Sequence, residues 1–126
     1  MSVLITRVYS CVADVEDNAA AVVTLAAAAG VRHCLKRVVA SYDTAVAAGD
    51  RTLTIAWTLF ASVVTAEMLV VNNTQTNPGL LDLALEEGEI VGDVGTAITI
   101  TLAASGVAAN RGLLNVWHRN VGNGVI

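Results

Sequence analysis

The sequence predicts an all-β chain, a two-sheet sandwich of about eight strands wrapped as a jelly roll. Three observations carry this prediction. Runs rich in Val, Ile, Leu and Thr recur between turn-forming residues, apolar and polar positions alternate within several of those runs, and 55% of the chain is hydrophobic while 4% is aromatic. Alternation at period two marks a half-buried strand. A dense stock of small apolar side chains suits close-packed sheets and subunit contacts better than a pocket that stacks a flat ligand. With 126 residues and one proline, a single domain spanning 1–126 is expected, long enough to bury a core without a disulfide or metal.

The first strand is expected at residues 3–12, VLITRVYSCV, followed by a polar hinge at 14–18. Residues 1–18 then form an arm or an edge strand able to pair with a neighbour. A second strand is expected at 20–27, within an Ala-rich run, 19–29, that could propagate a helix capped by Asn18. Val22, Val23 and Thr24 lose side-chain freedom in a helix, however, and no i, i+4 charge pairs support one, so a strand is the reading. After Gly30 comes a third strand, 31–42. Strict alternation puts Arg32, Cys34, Lys36, Val38 and Ala40 on one face and Val31, His33, Leu35, Arg37, Val39 and Ser41 on the other.

A turn at 47–50 leads to residues 51–57 and 63–71, which share an apolar stretch from Leu53 to Val71 with Glu67 as its only charge. That stretch is almost long enough to cross a bilayer as a helix. Leu53, Ile55 and Trp57 alternate with Thr52, Thr54 and Ala56, which argues instead for two strands around a turn at 58–62. Residues 72–79, NNTQTNPG, form the longest polar loop, a flexible or partner-touching tip. Strands are then expected at 80–83, with a helical turn over 80–87 as the alternative, at 97–103, where Ile98, Ile100 and Leu102 alternate with Thr99 and Thr101, and at 113–121. Turn signals at 86–88, 92–95, 105–106 and 122–124 separate them.

A net charge of −4 and a pI near 4.9 lack the basic footprint that phosphate backbones demand. Nucleic acid is not an expected partner. Basic residues concentrate at Arg32, Lys36 and Arg37, and acids at Asp82, Glu86, Glu87, Glu89 and Asp93. These patches read either as partners across a subunit contact or as solvated faces.

The sequence holds no GxSxG, GxxxxGK[ST] or GxGxxG signature, and its carboxylate pairs read as a solubilising edge, so no enzyme and no cofactor are expected. His33 and His118 lack ligand-spaced neighbours, and His33 and Cys34 fall on opposite strand faces, which argues against zinc or a thiolate–imidazole pair. Residues 85–93 have acids without the alternating spacing of a calcium loop. A Cys11–Cys34 bridge would need an oxidising compartment that nothing else indicates. The start, MSVLITRVYS, lacks the basic n-region and long apolar core of a signal peptide and implies cytosolic synthesis. Trp57 and Phe60 are expected in the core. Trp117 alternates with Asn115 and Arg119 onto an outer face as a partner anchor. Arg32, Lys36, Trp117 and Arg119 are therefore the candidate interface residues.

The run from Ala26 to Ile55, AAAAGVRHCLKRVVASYDTAVAAGDRTLTI, resembles the middle of small phage virion proteins with jelly-roll folds. Within that group it is most similar to the capsid cement, or decoration, proteins of tailed phages, of the type seen on a Bordetella phage. The similarity rests on Gly30, Val31, Arg32, His33, Ala40, Ser41, Tyr42, Gly49, Leu53, Thr54 and Ile55 and covers about a quarter of the chain. It implies a structural protein on the outer capsid surface that bridges neighbouring capsomers. The implied partners are the major capsid protein and the chain itself, as a homodimer or trimer, with no membrane involved and synthesis in the bacterial host cytoplasm. The alternative is a carbohydrate or cell-surface recognition module of a phage tail, or a lectin-like sandwich, with Trp117 as its contact.

Overall fold

The computed structural model describes residues 8–43, 51–70, 80–86 and 88–122, and among these every regular element is a strand. In chain order they are β1 (Ser10–Asp17), β2 (Ala21–Leu25), β3 (Val31–Tyr42), β4 (Arg51–Leu59), β5 (Ser62–Val70), β6 (Leu80–Ala84), β7 (Ile90–Val91), β8 (Ile98–Leu102) and β9 (Arg111–Gly122). One sheet has the order β1-β9-β3-β6, with the short β7 also on β3, and the other has the order β2-β8-β4-β5. All ladders are antiparallel. The pairing is nested: β1 with β9, β2 with β8, β3 with β6, β4 with β5. Consecutive strands thus switch sheets at β1 to β2, β2 to β3 and β3 to β4, an ordering compatible with a jelly-roll wrapping of one long ribbon.

The core follows from alternation. Ala21, Val23 and Leu25 of β2, Leu53 and Ile55 of β4, and Ile98, Ile100 and Leu102 of β8 are buried, while the threonines between them point outward. From the facing sheet come Leu35, Val38, Ala40, Tyr42, Leu114 and Val116, joined with them in one hydrophobic cluster. Each buried Val, Leu or Ile contributes about 1.5–3 kcal/mol relative to exposure. Tyr42 enters this core without losing its hydroxyl bond, since its Oη donates to the Ala103 carbonyl at 2.6 Å. Gly112 makes room for it: a Cβ there would lie 3.5 Å from Tyr42 Cε1 and 3.3 Å from Leu102 Cδ2.

The structure corrects several expectations. Alternation in β3 is interrupted, because Leu35 pairs with His118 and Arg37 with the adjacent Trp117, leaving Lys36 as the extra residue of a bulge. Leu35 before the bulge and Val38, Ala40 and Tyr42 after it therefore share the core face. Lys36 and Val38 do not share a face. Among the described residues the first strand runs Ser10–Asp17, past the expected end at 12 and into the expected hinge at 14–18. Its acids stay extended because this is an edge strand with solvent beside it, and Asp14 Oδ2 accepts a bond from the Val22 amide at 2.9 Å. Residues 20–27 contain strand, not helix, and so do residues 80–84.

The apolar stretch from Leu53 is a β-hairpin, and among the described residues no helix is long and apolar enough to cross a membrane. The expected turn at 47–50 and the polar loop at 72–79 lie outside the described residues, as do residues 1–7 of the expected arm at 1–18. Cys11 is exposed and Cys34 buried. Strand β9 separates β1 from β3, so their backbones stand roughly 9–10 Å apart, beyond disulfide reach.

Candidate functional site

The β4–β5 hairpin closes through two residues only, since Leu59 pairs with Ser62. Both loop residues, Phe60 and Ala61, take positive φ (50s and above: 51° and 62°). A type I′ turn requires this conformation and ordinarily places Asn-Gly there, because a left-handed non-glycine residue costs about 1–2 kcal/mol. Asp93 holds the turn. Its Oδ1 accepts from the Phe60 amide at 3.1 Å and its Oδ2 from the Ala61 amide at 2.8 Å. The loop carrying Asp93 is itself fixed, since the Asp93 amide donates to the Thr58 carbonyl, Gly92 to His33 and Gly95 to Val31. The Phe60 side chain is 87% exposed at this tip, flanked by Val63 at 73% and by the exposed Leu59.

Register extends the tip into a face, because residues directly opposite in antiparallel ladders share a side. Val22, Thr101, Thr54 and Glu67 form one row across the four-stranded sheet, and Thr24, Thr99, Ala56 and Thr65 form the next. Glu67, at the β5 edge, is the only charge in these rows. Beside the tip lies a shallow depression of about 180 Å³ lined by Ala56, Trp57, Thr58, Val63, Ala97 and Thr99. Sequence reasoning missed this surface by assigning Phe60 to the core. A two-residue gap between strands was the signal that could have found it, since such a loop points its side chains into solvent.

The outer face of the five-stranded sheet is built the same way. Its rows are Cys11, Trp117, Arg37 and Ala84; Ala13, Asn115, Val39 and Asp82; and Val15, Leu113, Ser41 and Leu80. Val15 and Leu80 are exposed at 45% and 66%. The half-buried Trp117 carries the Arg37 guanidinium over its ring at 5.0 Å. Arg37 also grips Asp82 with two bonds of 2.9 and 2.6 Å, and this hydrogen bonding holds the Asp82 carboxyl below its ordinary value.

Of the other three predicted interface residues, Arg119 and Lys36 bond within the chain. Arg119 forms a bidentate pair with Glu89 at 2.6 and 2.8 Å, its side chain 13% exposed and that of Glu89 4%. The Tyr9 hydroxyl donates to the same carboxylate at 3.0 Å. Lys36 Nζ donates to the Glu86 and Gly88 carbonyls. Arg32 is half-buried with its Nε enclosed. Arg37 of the basic patch and Asp82 of the acidic one thus pair inside one molecule.

The two histidines, distant in sequence, come to one end of the sandwich. His33 pairs with Asn120 in register and places its Nδ1 2.7 Å from Asn120 Oδ1, while its Nε2 lies 2.7 Å from the Ala26 carbonyl. His118 sits two residues away on β9, and burial pushes its pKa down. Among the described residues no group of three or more His, Cys, Asp or Glu could hold a metal ion.

No family model matches this chain, and no curated protein matches it. A solved structure, that of a virus-like particle of extra small virus from the giant freshwater prawn Macrobrachium rosenbergii, is similar over 94% of this chain and 82% of that chain, at 12% identity and a TM-score of 0.35.

Proposed function

We propose that this chain is a non-enzymatic structural protein of a tailed-phage particle, which binds the outer capsid surface and bridges neighbouring capsomers. The observation that carries the reading is the pair of sheet faces on opposite sides of one core that no described segment covers, the four-stranded one mostly Thr, Ala and Val, the five-stranded one half Ala, Val and Leu around Trp117 and the Arg37–Asp82 pair. A bridging protein needs two contact surfaces. Faces with few described charges, Arg37 and Asp82 being paired to each other, supply them, because depletion of charge marks the buried centre of protein interfaces. The energy then comes from many modest contacts repeated over a lattice. On this reading the major capsid protein covers the five-stranded face, with Trp117 near its centre and Arg32, Lys36 and Arg119 along its margin. A second copy of the chain is the other partner. The carbohydrate alternative rests on Trp117 as its contact, and the Arg37 guanidinium lies over that ring.

Titration of purified protein onto undecorated expanded capsids tests the proposal. Saturable binding at a fixed ratio to the capsid protein is expected. Absence of saturation, or glycan binding lost on Trp117→Ala, would overturn it.

A further inference from the structure

We propose that the β4–β5 hairpin tip is the surface through which two copies of this chain associate, with Phe60 of each copy seated in the depression of the other. The inference deepens the reading of the chain as a self-associating structural protein, and its test needs no capsid. Knob and hole lie on the same hairpin: Phe60 projects from the turn, and Ala56, Trp57, Thr58, Val63, Ala97 and Thr99 line the hollow just behind it. A two-fold axis between them engages both at once, which is the self-complementarity an isologous contact requires. Size agrees. Cavities of about 150 Å³ lined by apolar side chains admit benzene, and this depression measures about 180 Å³.

Charge selects the same partner. The chain carries a net −4, so two copies repel wherever their acidic residues meet. The rows behind the tip hold one described charge, Glu67, paired in register with Thr54 and so well back from the turn. The Asp93 carboxylate at the turn is taken up by the Phe60 and Ala61 amides, so two tips close without stripping water from an unpaired ion. The turn is also ready for binding before contact, because Asp93 fixes both of its amides, and a backbone already held in place loses little freedom on association. Two Phe60 side chains of about 150–250 Å² each, with Leu59, Val63 and the nearest threonines, reach the size of a weak, exchanging interface.

Sedimentation equilibrium of the full chain tests the inference. Wild type is expected to dimerise reversibly, and Phe60→Asn, which suits the left-handed backbone, is expected to raise the dissociation constant at least about 30-fold. Ala56→Trp fills the hole and should do the same, whereas Ala61→Gly keeps the knob and should leave association unchanged. A wild type that stays monomeric at every concentration overturns the inference, as does a dimer indifferent to either Phe60→Asn or Ala56→Trp. A dimer indifferent to both leaves self-association standing and removes this surface from it. Capsid binding is scored separately by titration.

Discussion

Phe60 and Glu89 show residue chemistry working in opposite directions. At Phe60 and Ala61 the backbone is strained while the side chain is bare, the pattern of a site where stability is given up for contact. Replacing the pair by Asn-Gly should therefore stabilise the fold by about 1–2 kcal/mol, read as a higher urea midpoint at unchanged m-value. A lower midpoint would mean that the turn is relaxed as it stands. Glu89 is the reverse case, a carboxylate buried at 4% exposure and satisfied by Arg119 and Tyr9. Glu89→Gln leaves the Arg119 charge enclosed without its counterion and should cost about 3–5 kcal/mol in chemical denaturation. Neither role is legible from residue type. An aromatic beside an apolar strand reads as core, and a glutamate among acids reads as solvent-facing, until the register decides which neighbours each one meets.

At the level of elements, strands with clean alternation are legible to within a residue or two. β2, β4 and β8 follow from Val, Ile and Leu at period two against Thr, and β3 matches its expected span of 31–42. What the pattern hides is parity. The bulge at Lys36 adds one residue to β3, so Leu35 and Val38 both reach the core although alternation sends them to opposite faces. Deleting Lys36 should consequently prevent folding, since either the Leu35 end or the Val38, Ala40 and Tyr42 end must turn outward. Lys36→Ala keeps the extra residue, removes only exposed bonds to two carbonyls, and should shift stability by less than about 1 kcal/mol. Circular dichroism and solubility of the two variants separate these outcomes. β1 and β7 escape sequence reading for simpler reasons: one is an acid-rich edge strand, and the other contains two residues.

At the scale of the whole molecule, titrating groups set a window of greatest stability. Burial raises the Tyr42 pKa from 10.0 to about 12, partly opposed by Arg51. The folded state thus holds the phenol proton more tightly, and the stability this contributes is complete below about pH 10 and lost as pH rises toward 12. His118 has a folded pKa depressed by burial from 6.5, so its contribution is present above that value and fades as pH falls below it. Asp43 and Asp82, lowered from 3.8 by hydrogen bonds from Arg111 and Arg37, add a further loss in stronger acid. Denaturation midpoints should therefore form a plateau between about pH 6.5 and 10. Tyr42→Phe should flatten the alkaline limb while lowering the plateau through loss of the bond to Ala103.

Two faces with few described charges, Arg37 and Asp82 being already paired within the chain, also bear on assembly. Contacts of small uncharged side chains depend weakly on ionic strength, unlike steering by opposed charge. The most direct test is the heat disruption of expanded capsids at rising occupancy by this protein, in about 50 mM and about 500 mM salt. A disruption temperature that climbs with occupancy by the same amount at both salts is the predicted result; shells that come apart at an unchanged temperature when fully coated would contradict it.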